Sequence, residues 1–320
     1  MLILTEEEIL RAVELEEIVD VIEGSMKLYE TGDYDMPTRL HMDYDENTLL
    51  LMPCSAEKRV GTKLLTLTPD NEERNLPVIQ GCFVLNDAET GEILALIEAS
   101  SLTALRTGAV GGVSIKHMTP EEVNSVGIIG AGVQGLHQAI YASEIRDIKD
   151  IYVFDIDPKQ VTDFTDELSK RKPNINIHTA GSNEELLHKS DVIITTTTAN
   201  KPVLPDHKKA FKGKHVIGIG SYKPDMREFP EAIYDEVDDV FIDTEDAFKE
   251  TGDLIHPLEQ GWINKNQVHT IGKLIDGQLS INKKGTTFFK SVGMALFDLV
   301  VANLVYDNAF EKGIGQKLDF

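Results

Sequence analysis

Ser125-Val-Gly-Ile-Ile-Gly130-Ala-Gly132-Val-Gln134-Gly135 is a short apolar run that passes through Gly-x-Gly-x-x-Gly into a helical pattern. Each glycine has its own task at this spacing. Gly130 permits the tight turn, Gly132 lets the main chain approach a pyrophosphate, and Gly135 lets the helix pack on the strand. The helix N-terminus adds open N–H donors and the positive end of its dipole. A second strand pattern, Ile151 to Phe154, ends at Asp155, where a carboxylate can accept from ribose hydroxyls and repel a 2′-phosphate. Residues 123–157 therefore read as a dinucleotide-binding βαβ start, with NAD as cofactor and NADP as the alternative. Capping the next helix is the competing role for Asp155, but Asp157-Pro158 already supplies a cap.

Downstream the pattern keeps alternating: helix at 135–144, strand at 150–154, helix at 158–169, strand at 175–179, helix at 183–188, strand at 192–197, then strands at 215–220 and 239–242. Such alternation specifies a doubly wound parallel sheet. Upstream the texture differs. Thr5 and Glu8 have capping-box spacing ahead of a helical apolar repeat, and residues 48–85 hold short apolar runs broken by turns, as in antiparallel strands. Asn86-Asp87 and Thr90-Gly91 signal a hairpin, and residues 99–118 form a small-residue helix suited to close backbone packing. The last long helix, about 291–308, is apolar on most faces and is expected to return to the first domain. The expected fold is thus α/β. A Rossmann domain, residues 117–289, is inserted into an α+β dimerisation and substrate domain made of residues 1–116 and 290–320.

Composition narrows the function. A net charge of −23 repels phosphate backbones and anionic lipid, which argues against nucleic-acid and membrane partners. No apolar run is long enough to span a bilayer, and the first residues lack a signal-peptide pattern, so a cytoplasmic location is expected. The two cysteines, Cys54 and Cys82, and the nine histidines show no metal-ligand spacing, so no metal is expected.

Three further segments surround the glycine motif: Thr103-Ala-Leu-Arg106-Thr-Gly-Ala109, Gly220-Ser-Tyr-Lys-Pro-Asp-Met-Arg-Glu228 and Phe289-Lys-Ser-Val-Gly-Met-Ala295. Together, in this order and over nearly the whole chain, they resemble the ornithine cyclodeaminase and mu-crystallin family, which also includes archaeal-type alanine dehydrogenases and cyclic ketimine reductases. The resemblance implies a homodimer formed through the non-Rossmann domain, an active site in the cleft between domains, and redox chemistry at the α-carbon of an amino or imino acid. It places Arg39, Lys63 and Arg106 at the substrate carboxylate or nitrogen. Arg106, Gly130, Gly132, Val133, Gln134, Gly135, Asp155, Thr198, Gly220, Ser221 and Ser291 fall around the cofactor. Chemistry supports the cationic trio: arginine offers a bidentate fork to a carboxylate in a dry cleft. Lys63 lies in an otherwise apolar strand and is either a snorkelling edge residue or, with a lowered pKa, the group that handles the proton on nitrogen. Asp225 and Glu228 read as caps of the helix after the Gly220 loop.

Three positions depart from the cyclodeaminase pattern. Tyr222 and Lys290 stand where that enzyme has aspartates, and Leu50 where it has a glutamate suited to ornithine's side-chain amine. Leucine cannot accept a hydrogen bond from an ammonium, and burying that charge beside it costs several kcal/mol, on the order of a lost ion pair. The expected activity is therefore an NAD(P)H-dependent reductase or dehydrogenase. Δ1-pyrroline-2-carboxylate reduction leads, followed by an alanine dehydrogenase-like reaction. The alternatives are an ornithine cyclodeaminase and a non-catalytic, crystallin-like nucleotide-binding protein.

Overall fold

In the computed structural model, which describes residues 1–74 and 76–319, Thr5 and Glu8 close the expected capping box and start the helix Glu6–Ala12. The apolar repeat that follows does not make one helix. Glu14 and Glu17 form a second capping box that restarts the chain as Leu15–Thr31.

The chain divides into two compact units, Met1–Arg106 with Met294–Phe320 and Thr107–Gly293. In the first, β1 (Leu2–Leu4), β2 (Tyr34–Asp35), β3 (Leu40–Tyr44), β4 (Asn47–Ala56), β5 (Arg59–Leu67), β6 (Ile79–Asp87) and β7 (Ile93–Glu98) join the terminal strand Gln316–Lys317. Their order is Gln316–Lys317, β1, β7, β6, β5, β4, β2, with β3 also paired to β4. Apart from the parallel β1–β7 pair, the ladders are antiparallel. The helix Ala295–Lys312 lies against β4, β5 and β6 and against the helix Leu15–Thr31, burying Leu296, Phe297, Leu299, Val301, Val305 and Ala309. It begins four residues later than the expected Ser291, because Thr287–Lys290 is drawn into a strand and Asp243 accepts the N–H groups of Val292 and Gly293.

The second unit holds an eight-stranded, wholly parallel sheet: β8 (Ser125–Ile129), β9 (Asp150–Phe154), β10 (Asn176–Thr179), β11 (Val192–Thr195), β12 (His215–Gly218), β13 (Val240–Ile242), β14 (Val268–Thr270) and β15 (Thr287–Lys290). The order β10-β9-β8-β11-β12-β15-β13-β14 reverses direction between β8 and β11, where open α/β sheets bind ligands at the carboxyl ends of their strands. Strands β14 and β15 escape the sequence reading.

The small residues of the helix Ala99–Met118 serve close packing, as expected. A Cβ on Gly108 would lie 2.4 Å from the Tyr141 ring, and one on Gly111 would lie 1.8 Å from Gln138 Oε1. A larger residue at either position would require the Tyr141 ring or the Gln138 amide to give way.

Candidate active site

Lys63 sits on β5, an interior strand between β4 and β6. It lies opposite Met52 and Phe83 and therefore on their face of the sheet. The snorkelling alternative fails, because the side chain is only 1% exposed. Its ammonium donates to both oxygens of Asp298 at 2.9 Å, with Thr103 Oγ1 at 3.5 Å. Arg106 Nε donates to the same carboxylate at 3.2 Å. Asp298 is fully buried, so a dry site holds one carboxylate against two cations. Half-buried Arg39 stands just before β3 and adds a third positive charge that Lys63 feels. Burial pushes the Lys63 pKa down, the Asp298 charge pulls it back up, and Arg106 and Arg39 depress it again, leaving it at about 8.

The dinucleotide motif is built as its spacing requires. Gly130 adopts φ +100°, closed to most side chains, and a Cβ on Gly135 would stand 2.1 Å from the Gly130 carbonyl oxygen. A Cβ on Gly132 would meet nothing within 4 Å, so the surface over the helix N-terminus is open, and no side chain caps that terminus. Its first-turn N–H groups lack intrahelical partners and fit a pyrophosphate. Asp155 braces this turn, accepting from Ala131 N at 2.7 Å and from Asp157 N at 2.9 Å. A carboxylate has about four lone-pair sites, so two such bonds leave capacity for a ribose hydroxyl. The cap of the following helix is indeed Asp157, which accepts from Lys159 N. Across the switch point, Thr196 Oγ1 donates to the Gly130 carbonyl at 2.7 Å.

Residues 1–313 match the model of the ornithine cyclodeaminase/mu-crystallin family. The chain belongs to this family. It is 33% identical to the Δ1-pyrroline-2-carboxylate reductase of Bacillus thuringiensis subsp. konkukian, over the whole of both chains. Among solved structures it is similar to the Thermococcus litoralis Δ1-pyrroline-2-carboxylate reductase in complex with NADH and L-proline, with a TM-score of 0.92 and 31% identity over 99% of this chain and 100% of that one. An archaeal alanine dehydrogenase dimer with bound NAD gives a TM-score of 0.91 and 29% identity over 100% of this chain and 99% of that one. The Rossmann and α+β architecture expected from the sequence is that of the family.

Within this frame the remaining positions distribute over two neighbourhoods. Arg106 bonds Asp298 beside Lys63, whereas Val133 and Gln134 open the helix after Gly132. Thr198 is exposed after β11, Gly220 and Ser221 follow β12, and Ser291 follows β15, donating to Asp243 at 2.6 Å. Leu50 lies opposite Leu65 and His41, so it shares the Lys63 face of the sheet.

Glu228 is not the cap it was expected to be. Fully buried, it accepts from the N–H groups of Thr197, Gly220 and Ser221 and from the Thr197 hydroxyl at 2.7 to 3.1 Å, tying two loops together. The next helix, Glu231–Tyr234, is preceded by Pro230. Asp298 was missed altogether. Its one signal was a lone acid inside Ala295-Leu-Phe-Asp-Leu-Val-Val-Ala302, since an aspartate on a helix buried all round needs a partner. Among the described residues, no group of three or more His, Cys, Asp or Glu side chains could hold a metal ion.

Proposed function

We propose that this chain is an NAD(H)-dependent imino acid reductase, with Δ1-pyrroline-2-carboxylate and proline as its substrate pair. The observation that carries this reading is the unbalanced charge at Lys63, Arg106 and Asp298: a buried site with one carboxylate for two cations is completed by a substrate carboxylate. Its similarity to Δ1-pyrroline-2-carboxylate reductases supports the same substrate. Pyruvate with ammonia is the second reading, supported by the similarity to an alanine dehydrogenase. Leu50 on the Lys63 face speaks against ornithine, whose side-chain ammonium would find no acceptor there.

A bound nicotinamide dinucleotide supplies the hydride. Gly130, Gly132, Val133, Gln134 and Gly135 would hold its pyrophosphate, with Asp155 at the ribose and Thr198, Gly220, Ser221 and Ser291 around the remainder. Arg39 and Arg106 fix the carboxylate and so orient the α-carbon. As hydride adds to that carbon, the C=N electron pair moves to nitrogen, which takes a proton from the Lys63 ammonium. Solvent then restores the Lys63 proton. A pKa of about 8 suits either direction of this transfer. In this reading residues 1–116 with 290–320 carry substrate and dimer contacts, and residues 117–289 carry the dinucleotide.

The same reading makes the protein a cytoplasmic homodimer. Free Cys54 and Cys82 fit a reducing compartment. The outer sheet face offers the dimer contact. Leu40, Leu51, Leu64 and Cys82 stand in register across β3 to β6, beside Met42 and Leu49. Leu40 is 51% exposed, Met42 49% and Leu64 37%, an apolar face that water alone serves poorly. Leu64→Asp should yield monomers in sedimentation velocity where the wild type sediments as a dimer; a wild-type monomer overturns this contact.

NADH oxidation followed with Δ1-pyrroline-2-carboxylate, Δ1-piperideine-2-carboxylate, pyruvate plus ammonia, and ornithine tests the activity. Turnover is expected with the first, and proline formed from ornithine without net NADH change would overturn the reading. Lys63→Met should abolish turnover while keeping NADH affinity.

A further inference from the structure

The family resemblance assigns Lys63 and Arg106 and is silent about the carboxylate between them. That carboxylate arrives from residue 298, 235 residues along the chain from Lys63, on the helix that covers β5. Both of its oxygens lie 2.9 Å from the Lys63 ammonium, and one of them also meets Arg106 Nε at 3.2 Å. Lys63 thus has a fixed partner, and the Arg106 fork is held by its inner nitrogen, with neither terminal nitrogen taken by Asp298.

Resting on the reductase reading, we infer that Asp298 is the positioning residue of this site: one carboxylate holds Lys63 and Arg106 in register and keeps Lys63 protonated until the substrate nitrogen takes the proton. The groups facing Lys63 from each packed element decide the sign of its effect. From the helix Ala99–Met118 comes Arg106, from the segment before β3 comes Arg39, and both disfavour a charged lysine. From β4 comes Cys54, whose thiol is pushed up to about 12 by burial and then by Asp298, and which therefore stays neutral. Among the described residues, Asp298 is the anion that acts most strongly on Lys63. Its removal leaves a desolvated ammonium among cations, and the proton departs.

Two substitutions separate charge from placement. In Asp298→Asn the anion is lost, so the alkaline limb of kcat/KM for imine reduction should move to lower pH by about one to three units, with NADH affinity unchanged. Asp298→Glu keeps the charge but adds a methylene in a packed site. Its alkaline limb should return toward the wild-type position while kcat stays low. A purely structural aspartate would lower activity without moving the limb. The inference is overturned if Asp298→Asn retains the wild-type limb, or, should that variant not fold, if Asp298→Glu retains wild-type kcat. The Lys63→Met result keeps the two readings apart: an active Lys63→Met defeats the assignment of Lys63 itself, whereas an inactive Lys63→Met with an unmoved Asp298→Asn limb defeats only the role given to Asp298.

Discussion

Two lysines are fully buried among the described residues, and they do opposite things. Lys63 meets one anion and two cations, and its hydrogen bonds go to side chains from distant elements. Lys290, on β15, donates to the carbonyls of Gly218 and Ser291 at 3.2 and 3.1 Å and lies 3.9 Å from Asp253. Burial lowers its pKa as it does for Lys63, but the neighbouring charges of Asp253, Glu228 and Asp243 all favour its protonated form. Asp253 Oδ2 finds no hydrogen-bond donor, and burial pushes that carboxyl up to about 6. A buried lysine is thus informative only with its surroundings. Outnumbered by carboxylates and tied to backbone, Lys290 fastens the loops after β12 and β15. Outnumbered by cations, Lys63 waits for another anion.

The largest expected effect follows from removing each lysine in turn. Lys290→Met leaves Asp253 and Glu228 buried without their cation, a loss of about 3–5 kcal/mol for a broken buried pair. Lys63→Met leaves Asp298 paired with Arg106 and deletes the surplus charge, so its stability loss should be clearly smaller although its turnover vanishes. Urea unfolding of both variants, read at the midpoint, checks the order. A Lys63→Met protein less stable than Lys290→Met would erase the contrast drawn between the two sites.

The same contrast explains how much could be read before folding. The dinucleotide motif was legible because its logic is local: three glycines and an aspartate within 26 residues act on one turn. Arg39, Lys63 and Arg106 were singled out by family resemblance alone, since nothing in Val60-Gly-Thr-Lys63-Leu-Leu distinguishes an edge lysine from an enclosed one. What escaped was acidic and long-range. Asp298 meets its lysine across 235 positions, and Glu228 reaches back 31 positions to Thr197. A carboxylate at an expected helix start reads as an ordinary cap, which hid Glu228, and a single acid within the apolar last helix names no partner, which hid Asp298. Strands β14 and β15 failed for a related reason: they owe their existence to the neighbours they pair with.

Leu50 offers the finest adjustment of the Lys63 site. It sits on β4, on the Lys63 face, half-buried, and brings no charge. In Leu50→Glu a second carboxylate would balance the surplus cation that Asp298 leaves open. The Lys63 alkaline limb should then move up by about one pH unit. The Michaelis constant for a carboxylate substrate should rise about tenfold, the equivalent of 1.4 kcal/mol. Leu50→Gln has nearly the same shape without the charge and should do neither. Equal behaviour of the two variants would mean that shape at position 50, and not charge, governs the site. A divergence confined to Leu50→Glu would show that Lys63 differs from Lys290 through the sign of its neighbours, since the added carboxylate makes the first environment resemble the second.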